Sequence, residues 1–152
     1  MSTRAKEYKL KHKIALIKIK KNGTHIKPLF EMLIKRKVNI SHKSPPSYSH
    51  HKNFVLNHPY RAWYLVKQNN EFVGNAYILK NNFIGININK NSRIITPALI
   101  EILLRKHKPL KSIKSVRVDK FSFNVAHNDK EYISILEKMG AKLAQVTYIF
   151  EK

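Results

Sequence analysis

The sequence predicts a single mixed α/β domain in which about four helices flank a twisted, mostly antiparallel sheet of about six strands. Its 152 residues and 43% hydrophobic content suffice for one hydrophobic core and are few for two domains. Apolar and polar residues alternate over residues 82–89, as in a strand buried on one face, and apolar residues recur at helical spacing over residues 98–105. We expect the domain to cover residues 13–152, and residues 1–12 to form a basic flexible arm.

The N-terminal part predicts a strand followed by two helices. β-branched residues over residues 13–20 predict the first strand. Thr24 then stands as an N-cap, and apolar residues at helical spacing predict an amphipathic helix that ends near Lys37. Two consecutive prolines place a loop over residues 38–47, and residues 48–57 predict a second, short helix.

The middle of the chain predicts three consecutive strands and a helix. Residues 61–67 and 72–80 are strand-like and are joined by a short polar turn, which is typical of an antiparallel hairpin. A further turn leads into the strand over residues 82–89, so the three strands form a meander. Thr96 stands where an N-cap belongs and Pro97 where the first helical residue belongs, which predicts that the third helix begins there.

The start of this third helix is a candidate anion site. Free backbone N–H groups and the positive dipole end of a helix commonly bind a phosphate. A strand, a turn and a helix also occur in this order without any ligand, so both interpretations stay open at this point.

The C-terminal part predicts a strand, a helix and a closing strand. Over residues 116–125 the apolar alternation changes phase, which indicates a bulge or a bend. Asn128 starts the fourth helix, and Gly140 stands where that helix should stop. Residues 142–151 predict the last strand of the sheet.

Positive charge dominates the composition. The chain has 30 Lys and Arg residues against 9 Asp and Glu, a net charge of +21. Such a surface attracts polyanions, including nucleic acid and phosphorylated cofactors. The abundance of Lys, Asn and Ile is also what an AT-rich genome encodes without selection for binding, so a purely compositional origin is an equal alternative.

The composition also excludes several kinds of site. Cysteine is absent, which rules out disulfides, a thiolate nucleophile and a cysteine-type zinc site. No apolar run approaches the roughly 20 residues that a membrane span needs. A soluble, cytoplasmic protein is therefore the default expectation.

Histidines are concentrated between the first helix and the second strand. They are His42, His50, His51 and His58. No carboxylate lies between Glu31 and Glu71, so we predict no metal site. Binding of an acceptor or proton transfer is one interpretation of these histidines, and a solvated helix with incidental histidines is another.

Three stretches of the sequence resemble a known family: they are FVGNAYI, FIGININKNSRIITPALIEILL and FNVAHNDKEYISILEKMGAKLAQVTY. These stretches and the order of elements resemble the GNAT superfamily of acyl-CoA-dependent N-acyltransferases. The resemblance covers residues 13–151, and residues 128–148 are similar to the family's Asn, helix, Lys-x-Gly and closing strand. The histidine-rich segment also resembles members that acylate amino groups on nucleotide-linked sugars, where a His precedes an aromatic residue by three positions; here these are His51 and Phe54.

The resemblance implies an acyl-CoA-dependent N-acetyltransferase with acetyl-CoA as its cofactor and a small amine, such as an amino sugar or a nucleotide-linked amino sugar, as acceptor. The pantetheine arm would lie along residues 82–89, and the pyrophosphate on the N-terminus of the next helix. The cofactor-binding residues implied in this way are Asn87, Ile88, Arg93, Thr96, Ala98 and Asn128.

This sequence departs from the family pattern at the pyrophosphate loop, which in the family reads Arg or Gln, two residues, Gly, one residue, and Gly or Ala. Arg93 and Ala98 fit, whereas Thr96 replaces the first Gly and Pro97 fills the intervening position. Phe83 stands where many sugar acyltransferases of the family have a Glu.

Amide formation requires a group that removes a proton from the ammonium, a polarised thioester carbonyl and a donor for the leaving thiolate. We expect His51 or His42 to accept the proton and a backbone N–H near Asn87 or Ile88 to polarise the carbonyl. Tyr132 is a candidate donor, with a plain core residue as the alternative; the family's usual Tyr position holds Leu136.

Two functions therefore follow from the sequence. The first, which we prefer, is the acetyl-CoA-dependent enzyme. The second is a catalytically inactive GNAT-like domain that binds a polyanion such as nucleic acid through its basic surface.

Overall fold

The computed structural model describes residues 13–36 and 44–151. Within these residues the order of elements is β1 (Ile14–Lys18), α1 (Ile26–Ile34), α2 (Tyr48–Asn57), β2 (Ala62–Gln68), β3 (Glu71–Ile78), β4 (Phe83–Ile88), α3 (Ser92–Lys106), β5 (Ser122–Phe123) and α4 (Lys130–Lys138). A short 3-10 turn, Gly23–His25, precedes α1. The predicted mixed α/β class with four helices is confirmed.

The five strands form one open sheet in the order β1-β2-β3-β4-β5. Neighbouring strands from β1 to β4 are antiparallel, which confirms the predicted meander. Asn69 and Asn70 join β2 to β3 with φ angles of 49° and 66°, the left-handed backbone that a tight hairpin turn needs. In contrast, β4 and β5 are parallel and share only two residue pairs.

The sheet separates two hydrophobic cores. The core under α3 and α4 includes Ile84, Ile86, Ile95, Leu99 and Leu103. The core under α1 and α2 includes Ile26, Leu29, Val55, Trp63 and Leu65. Burial of each such side chain stabilises the fold by about 1.5–3 kcal/mol. Because strand side chains alternate, the even-numbered residues of β4 face α3, and the odd-numbered residues face α1 and α2.

The predicted sixth strand, residues 142–151, is absent from the described part of the sheet. Its apolar residues project into solvent, with Leu143 85%, Tyr148 88% and Phe150 98% exposed. Alternation alone predicts a strand, but a strand also needs a partner with free backbone groups in register, and β5 at the sheet edge has only two residues.

The prediction for the fifth strand was too long. Val116 and Val118 are 67% and 60% exposed and do not pair with β4. Instead, an isolated bridge joins Ile113 to Arg117 in a tight turn, and only Ser122–Phe123 reaches the sheet. The change of phase in the apolar pattern therefore marks the point where an irregular segment enters the strand.

Helix α3 begins at Ser92, one turn before the predicted start at Thr96. The carbonyl of Asn91, which has a φ of 56°, accepts the N–H groups of both Ile94 and Ile95 at 3.0 Å. The fully buried Ile95 extends the apolar stripe of α3 by one turn, which favours the earlier start. Pro97 consequently lies inside the helix.

Two other helix starts also differ from the predictions. The side chain of Asp129, not of Asn128, caps α4 by accepting the N–H of Tyr132 at 3.0 Å. The predicted cap Thr24 lies in the 3-10 turn before α1. The predicted arm over residues 1–12 lies outside the described residues. Among the helices that the structure describes, none has the length and apolar character needed to cross a membrane.

Candidate active site

A cavity of about 1030 Å³ opens where β4 and β5 separate. The two strands pair only at Phe83 with Ser122 and at Ile84 with Phe123, so the rest of β4 has no strand on that side. The cavity runs from α1 and α2 on one face of the sheet to the start of α3 at the edge of the other. The short parallel contact is therefore what creates the space.

The backbone of β4 offers hydrogen-bond donors to this space. At its two ends, Asn89 N–H donates to Val73 O at 3.0 Å, and Phe83 O accepts from Leu79 N–H at 2.8 Å. Antiparallel ladders alternate, so the odd-numbered residues of β4 bond to β3, and the N–H groups of Ile86 and Ile88 point toward the gap. Of the two predicted polarising donors, Ile88 has this orientation and Asn87 does not.

His51 lines the cavity from α2 and is only 5% exposed. Its Nε2 lies 3.3 Å from the carbonyl oxygen of Ile26, so Nε2 carries the proton and Nδ1 has the free lone pair. Burial lowers the pKa of His51 below its usual value of 6.5, which keeps the ring neutral at pH 7. A neutral, buried imidazole of this kind is suited to accept a proton. His42 lies outside the described residues.

Aromatic rings form the wall of the cavity below His51. Tyr60 and Tyr77 are stacked with centroids 4.4 Å apart, and Trp63 meets Tyr60 edge-on at 5.1 Å. Gly85 of β4 permits this arrangement because a Cβ there would lie 2.1 Å from the ring of Tyr77. Trp63 Nε1 donates to Asn75 Oδ1 at 3.2 Å, which fixes the indole against the sheet.

Arg36, which follows α1, also reaches the cavity. Its guanidinium donates to Asn87 Oδ1 on β4. Burial lowers the pKa of Arg36, and the neighbouring side chains Tyr77 and Tyr60 oppose that shift only in part. No sequence motif pointed to Arg36, because it meets Asn87 only through a contact between residues 51 positions apart.

A carboxylate occupies the N-terminal turn of α3, where an anion was expected. Glu131 of α4 accepts hydrogen bonds from Ser92 Oγ and from Arg93 Nε, the latter at 2.7 Å. These hydrogen bonds hold the pKa of Glu131 below its usual value of 4.5. Thr96 is 4% exposed inside the helix, so it is not at the helix terminus as predicted.

Tyr132 lies beside a smaller cavity of about 210 Å³, which Ile88 and Thr96 also line. Its hydroxyl oxygen is buried and has no hydrogen-bond partner among the described residues. Burial raises its pKa well above the usual value of 10. The hydroxyl therefore keeps its proton at neutral pH and has it available to donate in a hydrogen bond.

The predicted site residues are only partly brought together. His51, Asn87 and Ile88 line the larger cavity, and Ile88, Thr96 and Tyr132 line the smaller one. Arg93 lines neither cavity, although its partner Glu131 lines both. Ala98 and Asn128 line neither cavity. The described residues contain no group of three or more His, Asp or Glu side chains placed to bind a metal.

Comparisons with known proteins agree on the fold. No family model and no curated protein matches the sequence. A domain from Methanocaldococcus jannaschii is similar in structure, with a TM-score of 0.69 and 18% identity over 88% of this chain and 91% of that one. A possible acetyltransferase from Clostridium difficile 630 is also similar in structure, with a TM-score of 0.60 and 9% identity over 91% of this chain and 97% of that one.

An aminoglycoside acetyltransferase from an uncultured soil metagenomic sample, in complex with sisomicin, gives a TM-score of 0.52 and 13% identity over 91% of this chain and 95% of that one. Identities this low show likeness of fold alone. The structural similarities, together with the five-stranded open sheet and its four helices, place this chain in the class of GNAT-like α/β folds.

Proposed function

We propose that this protein is an acyl-CoA-dependent N-acetyltransferase that acts on a small amine. Three groups around the gap between β4 and β5 support this activity: the buried imidazole of His51, the N–H of Ile88 and the buried hydroxyl of Tyr132, which has no hydrogen-bond partner in the described part of the chain. They supply the base, the polarising donor and the acid that amide formation from a thioester requires. The likeness in fold to two proteins described as acetyltransferases adds to this support.

Acetyl-CoA, when bound, supplies an acetyl thioester and releases CoA as a thiolate. The Ile88 N–H, which points into the gap, would polarise the thioester carbonyl by donating a hydrogen bond to its oxygen. His51 Nδ1 would take the proton from the acceptor ammonium, directly or through a water, because Nε2 is committed to Ile26. Tyr132, which its raised pKa keeps protonated, would donate a hydrogen bond from its hydroxyl to the sulfur as the C–S bond breaks.

The phosphate end of the cofactor would need a rearrangement at α3. We propose that Arg93 and the N–H groups in the first turn of α3 bind the diphosphate. Glu131 must first give up its hydrogen bonds to this turn, since two anions cannot share the same donors. Thr96 contributes a wall of the smaller cavity. The parts of Ala98, Asn128 and His42 in binding or catalysis stay predictions.

An acceptor of the size of an amino sugar, alone or linked to a nucleotide, is compatible with a cavity of about 1030 Å³. The net charge of +21 would attract the phosphates of a nucleotide-linked acceptor.

One observation favours a second function, binding of a polyanion such as nucleic acid without catalysis. Glu131 already fills the N-terminal turn of α3, while the positive charge of the molecule as a whole remains available to phosphates. In that case the cavity would have no role in acyl transfer.

Calorimetric titration of acetyl-CoA distinguishes the two functions. It is done at moderate salt, where the Debye length is about 8 Å and diffuse attraction is weak. We expect saturable binding at one site that Arg93→Ala weakens and Glu131→Gln strengthens, because the second change removes the competing carboxylate. Arg105→Ala, which removes an equal charge from the last turn of the same helix, is the matched control and should change nothing.

Absence of saturable binding, or binding that vanishes as salt rises and ignores the changes at Arg93 and Glu131, would reject the enzyme. Retardation of nucleic acid by the same protein would then support the second function. Thermal unfolding of each variant shows whether a change in affinity reflects a change in folding.

A further inference from the structure

We propose that Arg36 binds an anionic group of the acceptor, so that the acceptor is an amine that also carries a carboxylate or a phosphate. This inference rests on the proposed acyl transfer and specifies the substrate class of the same cavity.

The guanidinium of Arg36 is a partly buried charge without a counterion in the described part of the chain. Its hydrogen bond there goes to the neutral amide of Asn87. Burial of an ionised group is unfavourable unless it is paired. The ion pairs recorded for the described residues use other cations, Lys90 with Glu71 and Arg93 with Glu131. Arg93 is 82% exposed and has a carboxylate partner, whereas the more buried Arg36 has none among the described residues.

The sequence makes an internal counterion in the adjoining segment impossible. Residues 37–43 contain no Asp or Glu, and the next acidic residue after Glu31 is Glu71. Glu31 lies on α1 with its side chain exposed. A ligand in the cavity is therefore the natural source of negative charge for this guanidinium.

The geometry also fits a role in orienting the acceptor. Asn87 holds the guanidinium against β4. The next residue, Ile88, has the N–H that points into the gap. A guanidinium has five N–H donors in a planar fork, so the donors that Asn87 does not use remain for a carboxylate or phosphate. The stacked rings of Tyr60 and Tyr77 lie alongside and offer a flat surface to the rest of the acceptor.

The distribution of charge around the cavity disfavours a polycationic acceptor at the end formed by α1 and α2. Its acidic lining residues, Asp129 and Glu131, lie at the end formed by α3 and α4. The end formed by α1 and α2 has Lys35, Arg36, histidines and apolar side chains. A polyamine would meet like charge there, both locally and from the net charge of +21.

Matched pairs of acceptors test the inference in a thiol-release assay with acetyl-CoA. Tyrosine is compared with tyramine, glucosamine 6-phosphate with glucosamine, and spermidine represents the polycations. In at least one pair, we expect the member that carries the carboxylate or phosphate to have a kcat/KM about tenfold or more above the member without it, the value of a charge-assisted hydrogen bond. The carboxylate and phosphate pairs together distinguish the two sources of anionic charge.

Arg36→Ala should abolish the preference by raising KM far more for the member with the anionic group than for the member without it, and Arg36→Lys should restore part of the preference. Lys27→Ala, which removes an exposed charge from α1, the helix that Arg36 follows, is the matched control. Acetylation of amines without any preference for an anionic group, or an equal loss for both members in Arg36→Ala, would overturn the inference and leave the proposed acyl transfer standing.

If acetyl-CoA neither binds nor reacts, the proposed function fails independently. Calorimetry of tyrosine and glucosamine 6-phosphate with the wild type and Arg36→Ala then decides the anion site. Arg36-dependent binding supports the site, and absence of binding overturns it.

Discussion

Asn82 secures the segment after α3 to the sheet through one fully buried side chain. Its amide donates to the carbonyls of Leu110 at 2.8 Å and Val118 at 2.7 Å, and its oxygen accepts the N–H of Leu110 at 2.7 Å. The residue also has a φ of 68°, which asparagine tolerates better than most residues. A single side chain thus joins the loop that leads to β5 to the sheet.

We expect Asn82→Ala to lower the free energy of unfolding by about 3–4 kcal/mol, because it removes three part-buried hydrogen bonds to the backbone of Leu110 and Val118. Asn70→Ala is the matched control, since Asn70 has a similar φ of 66° but an exposed side chain. Asn70→Ala should lower the free energy of unfolding by only about 1 kcal/mol, which is the cost of placing alanine in the left-handed conformation. Urea denaturation measures both, and equal losses would contradict the role of the hydrogen bonds.

Two buried histidines and a half-buried one make folding sensitive to mild acid. Burial lowers the pKa of His51, His58 and His107 below the usual value of 6.5. The unfolded state therefore binds more protons than the folded state as the pH falls through 6.5, and protonation favours unfolding. We expect the free energy of unfolding to fall from pH 7.5 toward pH 5, by at most about 1.4 kcal/mol per pH unit for each histidine.

Urea denaturation at several pH values measures this loss. Glu71 and Glu131, whose pKa values are lowered by their hydrogen bonds to Lys90 and to Ser92 and Arg93, add a further loss only below their usual value of 4.5. The effect between pH 7 and 5 thus belongs to the histidines. A flat profile, or one that rises toward acid, would contradict it.

At the scale of the element, β4 depends on close contact with β3. A Cβ on Gly74 would lie 2.1 Å from the backbone oxygen of Asn87, so the two strands approach more closely there than any side chain allows. Because backbone cannot rotate away as a side chain can, Gly74→Ala must push β4 outward at Asn87 and Ile88. We expect a loss of about 1–3 kcal/mol in stability, together with reduced acyl transfer.

Gly23→Ala is the matched control for this change. No atom lies within 4 Å of a Cβ at Gly23, so its thermal unfolding should match that of the wild type. Equal stability of Gly74→Ala and Gly23→Ala would contradict the close approach of β3 and β4 at Gly74.

The elements that the sequence predicted well are those set by local patterns. The β2 to β4 meander follows from apolar alternation and from polar turns that asparagines can adopt at positive φ. The start of α3 was missed because local capping signals at Thr96 and Pro97 compete with burial of Ile95, which only the packed sheet determines.

At the scale of the whole molecule, the site was predictable only in part, because most of it consists of contacts between distant segments. His51 could be named from a cluster of histidines and a resemblance to a family. Glu131 at the start of α3 could not, since it meets Arg93 from 38 residues away. The same holds for Arg36 at Asn87. Both contacts concern charge, and neither changes the local pattern of apolar residues.

Two opposing effects act on the molecule as a whole at its C-terminal end. Residues 142–151 expose Leu143, Tyr148, Ile149 and Phe150, each at 82–98%, and exposed apolar surface of this kind promotes association. The net charge of +21 keeps copies of the chain apart. Salt weakens only the second effect, because the Debye length falls from about 30 Å at 0.01 M to about 3 Å at 1 M.

We therefore expect sedimentation velocity to show a monomer at low ionic strength and concentration-dependent association as salt increases. Replacement of Tyr148, Ile149 and Phe150 by serine should keep the chain monomeric at every salt concentration. Replacement of Val116 and Val118, which are also exposed apolar residues, by serine is the control and should leave association unchanged. Association that survives the first replacement, or a wild type that stays monomeric at high salt, would show that the exposed segment does not drive contact between copies.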